Sequence, residues 1–125
     1  MALPDRDEAY LADKGYTWEL IPNSREQLLI LREYELPPGK YTPSTVDLLI
    51  RMPAGYPSHN PDMFFVAQEV RRLTGDAPLA VTVVTINNSR WFQWSRHYPS
   101  GVWRPGIDSL ESYLRAVRTE LEKGR

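Results

Sequence analysis

The sequence contains no cysteine among its 125 residues, and this absence excludes several classes of protein. Without thiols the chain can form no disulfide framework, no thiolate nucleophile, no zinc ribbon and no cysteine-ligated iron–sulfur cluster. Histidine is nearly as scarce, because only His59 and His97 occur. Two histidines are too few for a histidine-rich zinc site, so we expect no metal and no cofactor.

The chain also lacks an excess of charge of either sign. Lys and Arg number 15 against 16 Asp and Glu, which gives a formal charge of -1. Nucleic-acid binding and polybasic membrane anchoring both need a clear basic excess, so neither is expected. The N-terminus has no signal-peptide pattern, and no apolar run approaches the roughly 20 residues of a membrane helix. The sequence therefore predicts a cytoplasmic protein with no nucleic-acid and no membrane partner.

What the chain does have is enough apolar residues, 42%, to build one core at the length of one domain. We therefore expect a single domain over residues 1–125. Residues 1–15 form an extension or one short helix, in which Asp5 or Asp7 could cap the N-terminus and Gly15 would end the helix.

Residues 16–66 carry the patterns of a strand meander. Segments 16–22 and 26–35 are rich in strand-forming residues, and 63–66 is a short apolar run. Segment 44–52 is the clearest strand, since apolar residues recur at every second position: Val46, Leu48, Ile50 and Met52. We predict that these four segments form an antiparallel meander.

The second half of the chain predicts a long loop followed by a helix. Residues 80–86 look like a buried extended segment, whereas 87–106 show no periodicity and contain three of the four tryptophans. A loop of that length in a compact domain is usually functional. Helix 108–123 follows, with Asp108 as N-cap and one apolar face formed by Leu110, Leu114, Val117 and Leu121. A meander with a C-terminal helix makes an α+β fold.

Ser95 and His97 lie two residues apart inside this loop. On extended backbone, residues at this spacing point to the same side. The imidazole of His97 could then take the proton of the Ser95 hydroxyl and activate it as a nucleophile. The alternative is that both side chains only hydrogen-bond to the loop backbone. No Gly-x-Ser-x-Gly sequence surrounds Ser95, so a conventional serine hydrolase has little support.

Asn87 and the aromatic residues also allow two interpretations each. The amide of Asn87 could donate to an oxyanion near Ser95, or Asn87 could simply form a turn. The tryptophans serve either the core or a ligand platform. In the segment 55–61, His59 is either a base or ligand, or part of a proline-fixed turn between strands.

These features together resemble the ubiquitin-conjugating (E2) fold over about residues 16–123, and in particular the prokaryotic E2 family E. E2 enzymes follow their meander with a Tyr-Pro-x-x-x-Pro turn, which is matched by Tyr56–Pro61. They later carry Trp-x-Pro, which is matched by Trp103–Pro105. The strings at 61–64 and 94–97 are those that point to the bacterial family.

The spacing of the resemblance selects two residues. Counting back eight residues from Trp103 gives Ser95, and eight more gives Asn87, the spacings at which E2 enzymes carry their catalytic cysteine and the asparagine of a His-Pro-Asn motif. We therefore expect Ser95 at the acceptor position, partly exposed in a shallow groove, and Asn87 within about one residue's reach of it.

The chain departs from the E2 pattern in four ways. Serine replaces cysteine, Thr85-Ile86 replaces the His-Pro pair, one helix follows the active-site region instead of up to three, and the N-terminal helix is short or missing. Thioester chemistry is therefore excluded. Three explanations remain: a carrier that uses a serine oxyester, an inactive variant that only binds a modifier or partner, or an engineered serine in place of cysteine.

The resemblance implies a carrier in a bacterial ubiquitin-like conjugation pathway, with an E1-like adenylating enzyme and a ubiquitin-like modifier as partners. Ser95 would accept the modifier C-terminus, His97 would act as base and Asn87 would stabilise the oxyanion. The neighbouring Trp94, Arg96 and Trp103 are expected to contact the modifier or a partner. The alternatives are an inactive binding module and a small serine esterase or protease that uses Ser95 and His97.

Overall fold

The computed structural model describes residues 3–125, so the first two residues of the predicted N-terminal segment lie outside the described residues. The described chain forms the following helices and strands: α1 (Asp5–Lys14), β1 (Thr17–Asn23), β2 (Glu26–Glu35), β3 (Tyr41–Thr42), β4 (Thr45–Met52), β5 (Phe64–Val66), β6 (Arg71–Arg72), β7 (Val81–Ile86), β8 (Ser89–Trp94) and α2 (Leu110–Glu122).

The main sheet has six strands in the order β1-β2-β4-β5-β8-β7, and every neighbouring pair is antiparallel. Its first four strands are the predicted meander, while β3 and β6 pair separately. The predicted α+β class, with a short N-terminal helix, an antiparallel sheet and a C-terminal helix, is confirmed. It is consistent with the ubiquitin-conjugating (E2, or UBC-like) fold.

Helix α1 is capped differently from the prediction. Its N-cap is Pro4, whose carbonyl accepts from the N–H groups of Asp7 and Glu8, while Gly15 ends the helix at φ 73° as expected. The Asp7 side chain is buried and accepts a hydrogen bond from the Tyr56 hydroxyl at 2.5 Å and one from the Leu110 N–H at 3.3 Å. Asp7 therefore caps the start of α2, where the helix dipole favours an anion.

Apolar side chains cover both faces of the sheet. One face packs against the helices through the alternating residues predicted for β4 and through the predicted face of α2. The other face carries a second buried cluster: Leu28, Ile30, Leu49, Phe65, Ile86 and Trp91. Leu49 breaks the period-two pattern in the sequence because it belongs to this second cluster.

The prediction that residues 87–106 are a loop is wrong for its first part, because Ser89–Trp94 is strand β8. Asn87 and Asn88 form a two-residue turn between β7 and β8, with φ values of 50° and 66°. Positive φ at both positions is the type I′ geometry that matches the twist of a hairpin. Strand β8 shows no period-two pattern in the sequence because its aromatic residues face both apolar sides of the sheet.

The start of α2 also lies one residue later than predicted, because Ser109 rather than Asp108 is the N-cap. The Ser112 hydroxyl accepts a hydrogen bond from the Ser109 N–H at 2.9 Å. The Asp108 carboxylate instead accepts from the Arg104 N–H at 2.7 Å, which lowers the pKa of Asp108 and closes the turn before the helix.

Candidate active site

Ser95 is the first residue after β8, at the point where the chain leaves the sheet. Its N–H donates to the Ala80 carbonyl at 3.1 Å, and the next N–H, of Arg96, donates back to the Trp94 carbonyl at 2.8 Å. These two bonds hold Ser95 at the centre of a tight three-residue turn. Its side chain is half-buried, and its Oγ accepts a hydrogen bond from Gln93 Nε2 at 3.3 Å.

His97 is bonded to Asp62 rather than to Ser95. The distance from His97 Nδ1 to Asp62 Oδ2 is 2.8 Å, and the other carboxylate oxygen of Asp62 accepts from the Tyr98 N–H at 2.7 Å. Ser95 and His97 were predicted to point to the same side because residues two apart do so on extended backbone. The backbone at Ser95 forms a tight turn instead, so that prediction does not apply.

The His97–Asp62 pair has the arrangement of a base and its orienting carboxylate. When Nδ1 carries the proton and donates it to Asp62, Nε2 keeps a free lone pair that can accept a proton. The imidazole is mostly exposed, so this lone pair is accessible from solvent. Asp62 was not singled out from the sequence, because its 35-residue separation from His97 gives no local signal.

Asn87 lies at the opposite end of the β7–β8 hairpin from Ser95. The ladder pairs Ile86 with Ser89 beside the turn and Val81 with Trp94 at the other end. These five steps along the strand correspond to roughly 17 Å. The expectation that Asn87 lies within one residue's reach of Ser95 is therefore wrong, and its amide serves the hairpin turn.

Trp94 is buried, whereas Arg96 is half-buried, bonds to the chain itself and lines the groove beside His97. Trp94 is 1% exposed and stacks on Phe64 with ring centroids 5.3 Å apart. The Arg96 guanidinium lies over the Trp94 ring at 4.9 Å and donates to the carbonyls of Leu79 and Arg125. Burial lowers the pKa of Arg96. Both residues therefore stabilise the segment around Ser95.

Trp103 lies beside the proline-rich turn and is half-exposed. Its Nε1 donates to the Pro57 carbonyl at 2.9 Å, and its ring contacts Tyr56 and Tyr98 with centroid distances of 6.3 Å and 5.7 Å. Burial, and to a smaller extent the hydrogen bond to Asp7, raises the pKa of Tyr56. Trp103 thus connects the turn at Pro57 to the segment that carries His97.

His59 closes that same turn. Its N–H donates to the Gly55 carbonyl at 3.0 Å, and its ring lies 2.8 Å from where a Cβ on Gly55 would stand. A side chain at position 55 would therefore displace the exposed His59 ring, while the backbone bond gives His59 a structural role in the turn.

A groove of about 310 Å³ opens beside His97, between the segment after Ser95 and helix α2. Its walls are mainly apolar and include Phe64, Tyr98, Val102 and Val117, while Ser95 is not among its lining residues. This groove therefore lies beside His97 and not at Ser95, so it does not fulfil the prediction that Ser95 lies in a groove.

Comparison with known proteins identifies the relationship. The family model described as Prokaryotic E2 family E matches residues 3–124. The chain belongs to this family. Neither the curated proteins nor the solved structures gave a match. Membership of an E2 family implies partners of a ubiquitin-like pathway in general terms.

Residues 3–125 of this Prokaryotic E2 family E protein contain two helices, α1 and α2. Within that range, neither helix is long and apolar enough to cross a membrane. The same range contains no group of three or more His, Asp and Glu side chains that could hold a metal ion.

Proposed function

We propose that this protein is an E2-like carrier in a bacterial ubiquitin-like conjugation pathway, and that Ser95 accepts the C-terminus of the modifier as an oxyester. The observation that carries the proposal is the placement of a half-exposed hydroxyl at the end of β8, two residues before the His97–Asp62 pair. Family membership supports a ubiquitin-like pathway in general terms, and because the chain has no cysteine we propose a hydroxyl as the acceptor.

The loading step forms one bond and breaks one. Ser95 Oγ attacks the activated carbonyl carbon of the modifier's last residue, and the bond from that carbon to the leaving group of the E1-like enzyme breaks. The hydroxyl proton passes to a base and from there to the leaving group. We propose His97 Nε2 as this base, which requires the Ser95 side chain to turn from Gln93 towards His97 when the modifier binds. ATP is consumed by the E1-like enzyme when it activates the modifier.

The transfer step returns the hydroxyl. An amine of the target attacks the ester carbon, the C–O bond to Ser95 breaks, and the proton lost by the amine reaches Ser95 Oγ through His97. An alkoxide is a poorer leaving group than a thiolate, whose conjugate thiol has a pKa near 8.5. Transfer from Ser95 is therefore slower than from a cysteine, unless a partner activates it.

Reconstitution tests this proposal directly. When the protein is mixed with its E1-like enzyme, the modifier and ATP, we expect intact-protein mass spectrometry to show a gain of one modifier. The adduct should survive thiol reductants, and hydroxylamine or mild alkali should cleave it because both attack esters and spare amides. An adduct that resists hydroxylamine, or no adduct with any partner, would contradict the oxyester proposal.

A second candidate function is a binding module without chemistry. It is favoured by one observation, that Ser95 Oγ accepts from Gln93 while His97 is bonded to Asp62. This alternative predicts measurable affinity for the modifier without any covalent adduct. A small serine esterase, the third alternative, predicts hydrolysis of an activated ester in the absence of the E1-like enzyme.

We expect His97→Ala to slow adduct formation by about 10²–10⁴-fold, the usual contribution of a general base. Asp62→Ala should also slow it, by no more than His97→Ala does, because His97 remains but loses the carboxylate that fixes its tautomer. Rates are measured by quenched time courses of the adduct. Asn87→Gly is the matched control, because glycine tolerates the φ of 50° in the turn, and it should load at the wild-type rate since Asn87 lies at the far end of the hairpin.

An independent readout separates positioning from a structural effect. In the wild type, nitrogen NMR should show His97 protonated at Nδ1, and Asp62→Ala should shift the ring towards the Nε2-protonated form. Unchanged loading by both variants would show that His97 is not the general base. An unchanged tautomer in Asp62→Ala would show that Asp62 does not position the His97 ring.

A further inference from the structure

Strand β7 is one edge of the six-stranded sheet. It pairs with β8 on one side, and its other side has no strand neighbour in the part of the chain that the structure describes. Residues 77–89, which include the whole strand, contain no charged side chain. Val83 at its middle is 58% exposed, and Leu79 just before the strand is 62% exposed. Proteins usually protect such an edge with charge, proline or a bulge.

The hairpin turn determines which backbone groups of β7 face outward. In a two-residue hairpin the pair next to the turn, here Ile86 and Ser89, exchanges hydrogen bonds, and bonded pairs then alternate along the ladder. The bond from the Ser95 N–H to the Ala80 carbonyl follows the same alternation. The N–H and C=O groups of every second residue between Ala80 and Ile86 therefore point away from the sheet: Val81, Val83 and Thr85.

The opposite edge of the sheet gives an internal comparison. Strand β1 forms a two-residue hairpin with β2, in which Asn23 pairs with Glu26. By the same alternation Pro22 occupies an outward position, where it offers no N–H to an incoming strand. Glu19 adds a charge to this edge. The β1 edge is thus blocked, whereas β7 offers a complete set of donors and acceptors.

We propose that β7 pairs antiparallel with β7 of a second copy of this chain, about a two-fold axis at Val83. In this register Val83 faces its own symmetry mate, and Val81 faces Thr85 of the other copy. All six outward N–H and six outward C=O groups of the two strands then pair with each other, two at the centre and two at each flank. The resulting contact is isologous and closed.

Two features select a second copy as the occupant. The outward groups are self-complementary, because Val81 and Thr85 are placed symmetrically on either side of Val83. The absence of charge over residues 77–89 removes the like-charge repulsion that two identical strands would otherwise meet across the axis. The β-branched side chains of the strand also form favourable cross-strand pairs.

Sedimentation analysis of the wild-type chain tests the pairing. We expect the mass to rise from that of one chain towards that of two between about 10 µM and about 1 mM, the range in which a short edge contact becomes populated. Val83→Lys places two ammonium groups opposite each other and should raise the dissociation constant at least about tenfold. Thr17→Lys, on the exposed part of β1, is the matched control and should dimerise like the wild type.

A charge exchange tests the register and the identity of the occupant together. Val83→Lys and Val83→Glu should each be monomeric alone and should form a mixed dimer when combined, because position 83 faces itself only in the proposed register. Circular dichroism checks that both variants are folded. A wild type that stays monomeric throughout, a dimer that Val83→Lys leaves intact, or a mixture that stays monomeric would each overturn the proposal. Capture of a strand from another protein by a monomeric chain would also overturn it.

Discussion

Ser95→Ala is expected to form no adduct in the reconstituted reaction, while its fold remains that of the wild type. The change removes only the hydroxyl of a half-buried side chain, which accepts a 3.3 Å hydrogen bond from Gln93. Ser95→Cys should restore loading and convert the adduct to a thioester that reductants cleave. Its transfer to amines should be faster, because a thiolate leaves more readily than an alkoxide.

Mass spectrometry with and without reductant compares the adducts that form on Ser95→Ala and Ser95→Cys. Thermal unfolding of both variants controls for the fold and should match the wild type closely. An adduct on Ser95→Ala would place the acceptor at another residue. A reductant-resistant adduct on Ser95→Cys would show that the modifier is not attached at position 95.

Trp94→Ala is expected to have the largest effect on stability. The side chain is 1% exposed, stacks on Phe64, meets Tyr41 edge-on at 5.8 Å and lies under the Arg96 guanidinium. Removing a buried tryptophan costs about 3–5 kcal/mol because of lost burial and the cavity that remains. In a chain of this size the midpoint of thermal unfolding should fall by about 10–20 °C.

Trp94→Phe provides the matched comparison. Trp94 Nε1 is buried with no hydrogen-bond partner within the described residues. Phenylalanine removes this N–H and its desolvation cost, which offsets part of the lost volume, so the destabilisation should be clearly smaller. Equal losses for both variants, or no loss for Trp94→Ala, would contradict the placement of Trp94 in the core.

The parts of the fold that follow one local rule were predictable from the sequence. Segment 26–35 was predicted as a strand with the bounds that β2 has, and the apolar face of α2 was read from its spacing. Prediction failed where one strand supplies apolar residues to both faces of the sheet. Strand β8 is apolar on both sides and so shows no alternation, and its turn uses Asn-Asn rather than the more recognisable Asn-Gly.

The candidate site divides in the same way. Counting eight residues back from Trp103 assigned Ser95 to the acceptor position, and such a count needs only the sequence. The partner of His97 depends on how β5 and the segment after β8 meet, and that brings Asp62 to 2.8 Å from a residue 35 positions away. The separation of Asn87 from Ser95 similarly depends on a hairpin, because eight residues of strand span far more distance than eight residues of loop.

The two apolar faces of the sheet change what fixes its strand alignment. In a sheet with one wet face, a slip of one residue exposes apolar side chains to water and is strongly penalised. Here the same slip of β2 would exchange one apolar face for another. Alignment then rests on features that a slip would break: the two-residue turn between β1 and β2, the bulge between Leu31 and Tyr34, and the ion pairs of Arg51 with Glu26 at 2.6 Å and of Arg32 with Asp47 at 3.0 Å. The turn, the bulge and these half-exposed charges together specify the alignment of an otherwise permissive sheet.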